Sequence, residues 1–231
     1  MSARFPDLPA RMMGLPVDHR GFPVPWFVAW VDGEPQFPVA DGRKLGIAHK
    51  FEKCWVCGSP LGRYRASVIG PMCAINRTIS EPQSHVDCAI FSARNCPFLS
   101  RPRMKRVGAE NLPMGVISAA GNGILRNPGV ACVWVERAQS QAFRVGNGVL
   151  FRLGDPTEVH WFAEGRAATA REIMESIDSG MPLLVAETDK ELPWVRDKAR
   201  QELRARYREV VRLVDLTAAG DESLLIVQGS G

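Results

Sequence analysis

The 231 residues contain no apolar run approaching the roughly 20 that a membrane-spanning helix needs. The first residues, with Arg4, Asp7, Arg11 and several prolines, lack the apolar core of a signal peptide. No membrane partner is expected, and the expected compartment is cytoplasmic. No stretch repeats. Gly121-Asn122-Gly123 is too short and too poorly placed to cradle a phosphate, and His19 and His49 have no companions at ligand spacing. Acidic residues are scarce between 43 and 106: twelve Lys or Arg stand there against Glu52, Glu81 and Asp87, a net +9 that leaves −5 for the rest of a +4 chain. A positive segment of this kind suits phosphate or an acidic partner; scattered over a solvated surface, the same charges would do nothing in particular.

What is present is a chain long enough, with 45% hydrophobic content, for one large or two small cores. The expected fold class is α+β: an N-terminal β-hairpin, a zinc-organised module, and a C-terminal antiparallel meander with two helices. After a proline-rich stretch to residue 22, Val24 to Val31 and Gln36 to Val39 flank Asp32-Gly33, a hairpin turn. The basic run Arg101-Pro102-Arg103 and the Gly- and Asn-rich residues after 108 mark a division into 1–106 and 107–231. Beyond it, Val130 to Val135, Phe143 to Val145, Val149 to Leu153 and Val159 to Phe162 alternate with turn signals and predict the meander. Thr169-x-x-Glu172 is a capping box that opens a helix, with Gly180 and Pro182 as its stop. A second helix is predicted from Glu191–Pro193 to about Asp215, with Val195, Ala199, Leu203, Tyr207, Val210 and Val214 on one face.

The chemistry concentrates in Cys54-Trp55-Val56-Cys57-Gly58. Two thiolates two residues apart reach one ion from a tight turn, and a following glycine supplies the positive φ such a turn needs. Ser84-His85-Val86-Asp87-Cys88 fits an S-x-x-D helix start, which puts His85 and Cys88 on one face of its first turn. Cys54, Cys57, His85 and Cys88 thus make a candidate set for structural zinc. Six cysteines could form three disulfides, but a chain this long does not need them, and this pairing of motifs reads as metal ligation by reduced thiols. Cys73 or Cys96 could replace His85, and an all-cysteine set would suit an iron–sulfur cluster, although the spacing matches no common cluster pattern. Cys132, in an apolar strand, reads as core.

Between the two ligand pairs lie the β-prone runs Tyr64 to Ile69 and Ala74 to Ile79, with Gly70-Pro71 near the reversal. Knuckle, hairpin and ligand-bearing helix together resemble the treble-clef class of zinc folds over residues 54–96, a class that includes nucleic-acid-binding and protein-binding modules and H-N-H nucleases. The wider run, from Cys-Trp-Val-Cys-Gly through Gly70-Pro71-Met72-Cys73 to Cys96-Pro97-Phe98-Leu99, resembles uncharacterised proteins of bacteria and their phages. The H-N-H reaction needs a histidine base in the hairpin, and residues 58 to 84 have none.

A metal with four protein ligands leaves no position for substrate, so a non-catalytic role is expected: a basic zinc module that contacts nucleic acid or a nucleoprotein. The cations expected to make that contact are Arg63, Arg65, Arg77, Arg101, Arg103, Lys105 and Arg106. Two alternatives stand beside it. One is a protein-interaction or inhibitory factor, phage-encoded, docking on an acidic protein surface. The other is an enzyme centred on His160, with Asp155, Glu158 and Glu164 near it in sequence.

Overall fold

A computed structural model describes residues 4–101, 127–146 and 148–218. Its elements are β1 (Val28–Val31), β2 (Glu34–Ala40), α1 (Gly42–Lys50), β3 (Arg65–Ile69), α2 (Pro71–Asn76), β4 (Thr78–Ile79), α3 (Val86–Asn95) and α4 (Pro97–Ser100), followed by β5 (Val130–Glu136), β6 (Gln141–Val145), β7 (Gly148–Arg152), β8 (Glu158–Ala163), β9 (Arg166–Ala167), α5 (Ala170–Thr188) and α6 (Pro193–Ala218). The fold is mixed α+β. No described helix is long and apolar enough to cross a membrane.

The expected N-terminal hairpin forms as β1 and β2, and Asp32 and Gly33 both take positive φ at its tip (50° and 80°). That pair of angles matches the right-handed twist of the strands it joins. Asp41 then accepts from the Arg43 N–H and starts α1.

The centre of the molecule is an antiparallel sheet in the order β3-β5-β8-β9. Every residue of β5 is buried, because both faces of the sheet are covered. On one face Ala66, Val133, Val135 and Phe162 pack with Ala89 and Ala93 of α3. On the other, Ile69, Cys132, Trp134, Val159 and Trp161 meet Ile75 of α2, Ile173 and Ile177 of α5, and Leu203, Val210 and Val214 of α6. Each large aliphatic side chain removed from water there stabilises by about 1.5–3 kcal/mol. The division expected at residue 106 falls outside the described residues, and β3 from before it pairs with β5 from after it over five positions.

The structure departs from the expected layout in four places. The predicted hairpin between the ligand pairs is not formed: β3 pairs with β5, and residues 71–76 are the helix α2, whose first position is Pro71. Proline preset for a helical first turn, and burial of Met72, Ala74 and Ile75, outweigh the strand propensity of that run. The predicted single meander is two sheets, because β5 and β8 join β3 while β6 and β7 pair with β4 in a three-stranded sheet. α5 runs through Gly180 and Pro182 to Thr188. Asp178 and Pro182 are exposed, so the carbonyl that Pro182 leaves without its helix bond faces water, and Leu184 beyond it is buried in the α5–α6 core. Finally, the N-cap of α3 is His85 and not Ser84, whose backbone pairs with Ala66 instead.

The capping box of α5 is formed: the Glu172 N–H donates to Thr169 Oγ1, and the Glu172 carboxylate accepts from the Thr169 N–H and from Arg166. Arg166 and these Thr169 donors hold the Glu172 pKa down at about 2, against an ordinary 4.5. A carboxylate depressed on folding contributes stability above its unfolded pKa and loses it as pH falls towards the folded value. Thr169→Ala is therefore expected to cost about 1 kcal/mol at pH 7. Glu172→Gln should narrow the stability gap to wild type as the pH of urea titrations is lowered from 6 to 2.

Candidate metal centre

Residues 53–60 fold into a tight knuckle. The Cys54 N–H donates to the Ser59 carbonyl at 2.8 Å, the Gly58 N–H returns to the Cys54 carbonyl at 2.8 Å, and Lys53 bridges Pro60. Gly58 has φ +76°, and a Cβ there would stand 2.7 Å from Trp26, so both the backbone and the space require glycine. Trp55 anchors the knuckle by stacking on Phe27, with ring centroids 5.0 Å apart and planes at 8°. Its backbone N–H donates to the Gln83 carbonyl, which ties the knuckle to the strand-like segment leading into α3.

That segment delivers His85 at the N-cap of α3 and Cys88 three residues on. The ligand atoms of Cys54, Cys57, His85 and Cys88 all lie within 4.8 Å of one another. Cys54 Sγ accepts from the backbone N–H groups of Cys57 and His85, both at 3.4 Å, an arrangement that favours sulfur carrying negative charge. His85 Nδ1 stands 3.4 Å from Cys57 Sγ, while Nε2 lies 2.9 Å from the Pro60 carbonyl. A carbonyl only accepts, so the ring proton belongs on Nε2, and the Nδ1 lone pair faces the sulfurs.

The four side chains are walled in. Met12, Val56 and Phe91 are buried with Cys54 and Cys88, and Phe5, Leu8, Leu15 and Leu61 pack around them. Phe5 meets Phe91 edge-on at 5.5 Å, and Arg11 pairs with Asp87 at 2.9 Å, so the proline-rich N-terminal stretch closes over the cluster. Clustering the thiols disfavours their ionisation. Contact with Cys54, then burial, pushes Cys57 up to about 12. For Cys54 the contact with Cys57 lowers the pKa, but the Cys88 contact and burial outweigh it and leave it raised. A bound cation reverses that balance and takes thiolates outright.

Among the described residues this cluster excludes the other thiols. Cys73 packs partly buried against the main core, Cys96 caps α4, and Cys132 is fully buried in β5 as expected for core.

Among the described residues, the cations named from the sequence differ in their surroundings. Arg63 and Arg101 are exposed. Arg65 is 11% exposed and paired with Glu52 at 3.0 Å. Arg77 is 7% exposed, held by Glu209 at 3.0 Å and Asp155 at 3.7 Å, with its guanidinium 4.2 Å from the Trp134 ring centroid. Arg103, Lys105 and Arg106, like Gly121–Gly123, lie outside the described residues. His160 Nε2 stands 2.8 Å from Glu158 Oε1. Asp155 is turned to Arg77 and Arg206, and Glu164 sits at the positive-φ turn between β8 and β9.

Sequence reading missed the clasp made by Arg77, Asp155, Arg206 and Glu209 and the part of the N-terminal stretch in covering the ligands. A buried arginine looks like a surface one in sequence; only the apolar spacing of Phe5, Leu8, Met12 and Leu15 hinted at packing. Trp30, on β1, is 46% exposed.

Fold and site together define a mixed α+β protein with a largely buried Cys3His group that could hold one metal ion. No protein-family model matches the chain, and neither does any curated protein or solved structure with which it was compared.

Proposed function

We propose that this chain is a non-catalytic, zinc-organised binding protein whose partner is nucleic acid or a nucleoprotein. The observation that carries the metal part is the convergence of four donors, three of them on buried residues, within 4.8 Å. Zinc held by thiolate at about 2.3 Å and imidazole at about 2.0–2.1 Å in a tetrahedron sets sulfur and nitrogen about 3.5 Å apart. Cys57 Sγ and His85 Nδ1 stand at 3.4 Å. Three thiolates and one imidazole suit zinc in softness and number, and complete its coordination without water. The ion would supply a cross-link between the knuckle and the start of α3. The residues around it limit solvent access and fix the histidine tautomer.

Support for the partner lies in the positive segment 43–106, in which Arg43, Lys50, Arg63, Arg94 and Arg101 are exposed. Elemental analysis of purified protein should give about one zinc per chain, and binding to a DNA or RNA oligomer should weaken steeply with salt. Metal-free folded protein would sink the first half of the reading, and salt-insensitive failure to bind the second.

A protein-interaction role has one observation of its own. At the start of α6, Leu192, Trp194 and Val195 are exposed, Trp194 by 73%, and contiguous apolar surface of this kind marks contact sites.

A further inference from the structure

A nucleic-acid partner must meet one face of the protein, and the assignment of that face rests on the nucleic-acid reading. α1 ends at Lys50, whose ammonium lies 5.3 Å from the ring centroid of Phe51, itself 58% exposed. The turn after Phe51 is held against residues 60–65: the Leu61 N–H donates to the Glu52 carbonyl at 2.7 Å, Lys53 bridges Pro60, and Glu52 pairs with Arg65. On that neighbouring segment Tyr64 is 47% exposed, with the Arg137 guanidinium 5.6 Å from its ring centroid, and Arg63 is exposed beside it. Two exposed aromatic rings are thus interleaved with Lys50, Lys53, Arg63 and Arg137. Of the nearby acids, Glu52 is taken by Arg65. Glu136 is buried behind Gln83, which donates to it.

Between the two segments lies a cleft of about 10 Å³, lined by His49, Lys53, Arg65, Gln83 and Gln139 among others. That is space for one water-sized group. Arg65, in that lining, donates through Nη2 to Glu52 and through Nε to the Gly62 carbonyl.

We propose that this face binds single-stranded nucleic acid. Phe51 and Tyr64 stack on bases, and the four cations neutralise the backbone. Stacking on exposed rings requires bases freed from a duplex. An acidic protein would answer the charges but leave the aromatic rings without a role.

The test measures fluorescence anisotropy of a labelled mixed-sequence 12-mer, single-stranded or as its duplex, against the full-length zinc-loaded chain over a range of salt. The single strand should bind at least tenfold more tightly than the duplex. Its log K should fall with log salt at about −0.7 per phosphate contacted, near −3 for four contacts. Phe51→Ala and Tyr64→Ala should each weaken single-strand binding by about tenfold. Tyr64→Phe should retain it, and Arg63→Glu with Arg137→Glu should flatten the salt slope, all at unchanged zinc content and Tm. Duplex binding as tight as single-strand binding, or alanine variants that bind like wild type, would overturn this surface while leaving the nucleic-acid reading in place. Displacement by polyglutamate at equal charge concentration would overturn it in favour of an acidic protein. Zinc-loaded protein that binds no polyanion would remove both the surface and the nucleic-acid reading.

Discussion

Cys88→Ser is expected to yield a chain that holds no stoichiometric zinc and does not fold cooperatively. Cys88 is fully buried in the first turn of α3, and its loss leaves three donors enclosed by Met12, Val56 and Phe91 with an incomplete shell. Structural zinc contributes apparent binding energies of about 10–16 kcal/mol to small zinc domains, more than the 5–15 kcal/mol by which most domains are stable. The effect need not unfold the whole chain, since the core between the central sheet, α2, α5 and α6 shares no residue with the ligand cluster. Circular dichroism with zinc release followed by a chromogenic chelator should show losses in the N-terminal region first, with exchange protection retained in β5 and α5. Cys73→Ser, outside the cluster, should change neither zinc content nor folding by much. A Cys88→Ser protein that keeps one zinc and a wild-type melting curve would remove this site from the account.

Arg77→Ala should be the most damaging substitution away from the thiols, at about 3–5 kcal/mol. Arg77 lies over Trp134, donates to Glu209 and to the Gly154 carbonyl, and is itself at φ +57°. Burial lowers its pKa, against the raising effect of Glu209. A charge so placed costs much in desolvation and repays it only while its partners stay in position. Its removal opens a void over Trp134 and unties α6 from the β4–β7 corner. In a chain of this size the loss corresponds to about 6–20 °C in Tm. Arg63→Ala, at an exposed site, should stay within about 0.5 kcal/mol of wild type. Equal melting temperatures for the two variants would mean that Arg77 is not the clasp described.

The four-residue cluster that could hold a metal was legible because both halves are local. A knuckle needs only Cys54, Cys57 and Gly58 within five residues, and His85 and Cys88 need only one helical turn. The capping box at Thr169 and Glu172 and the Asp32-Gly33 turn were legible for the same reason. The hairpin predicted over 64–79 was not, because the sequence from Ala74 to Ile79 is the same whether it pairs with β3 or divides, as here, between the end of α2 and the strand β4. The split of the meander was likewise hidden: strand periodicity reports which face is buried, not which strand lies alongside. The fate of Arg77 depended on Glu209, 132 residues away, and no local pattern carries that information.

By itself, then, the sequence determined which residues offer metal donors, where most strands and helices begin, and that charge is unevenly spread along the chain. These follow from interactions within a turn or two. Only the tertiary structure decided that β3 crosses to pair with β5, that the proline-rich N-terminal stretch covers the four ligands, and that Arg65 and Arg77 are drawn into ion pairs while Arg63 is left at the surface. The free energy of those choices comes from burying apolar area and pairing charges between segments far apart in the chain. Residue type alone does not fix it until the partners meet.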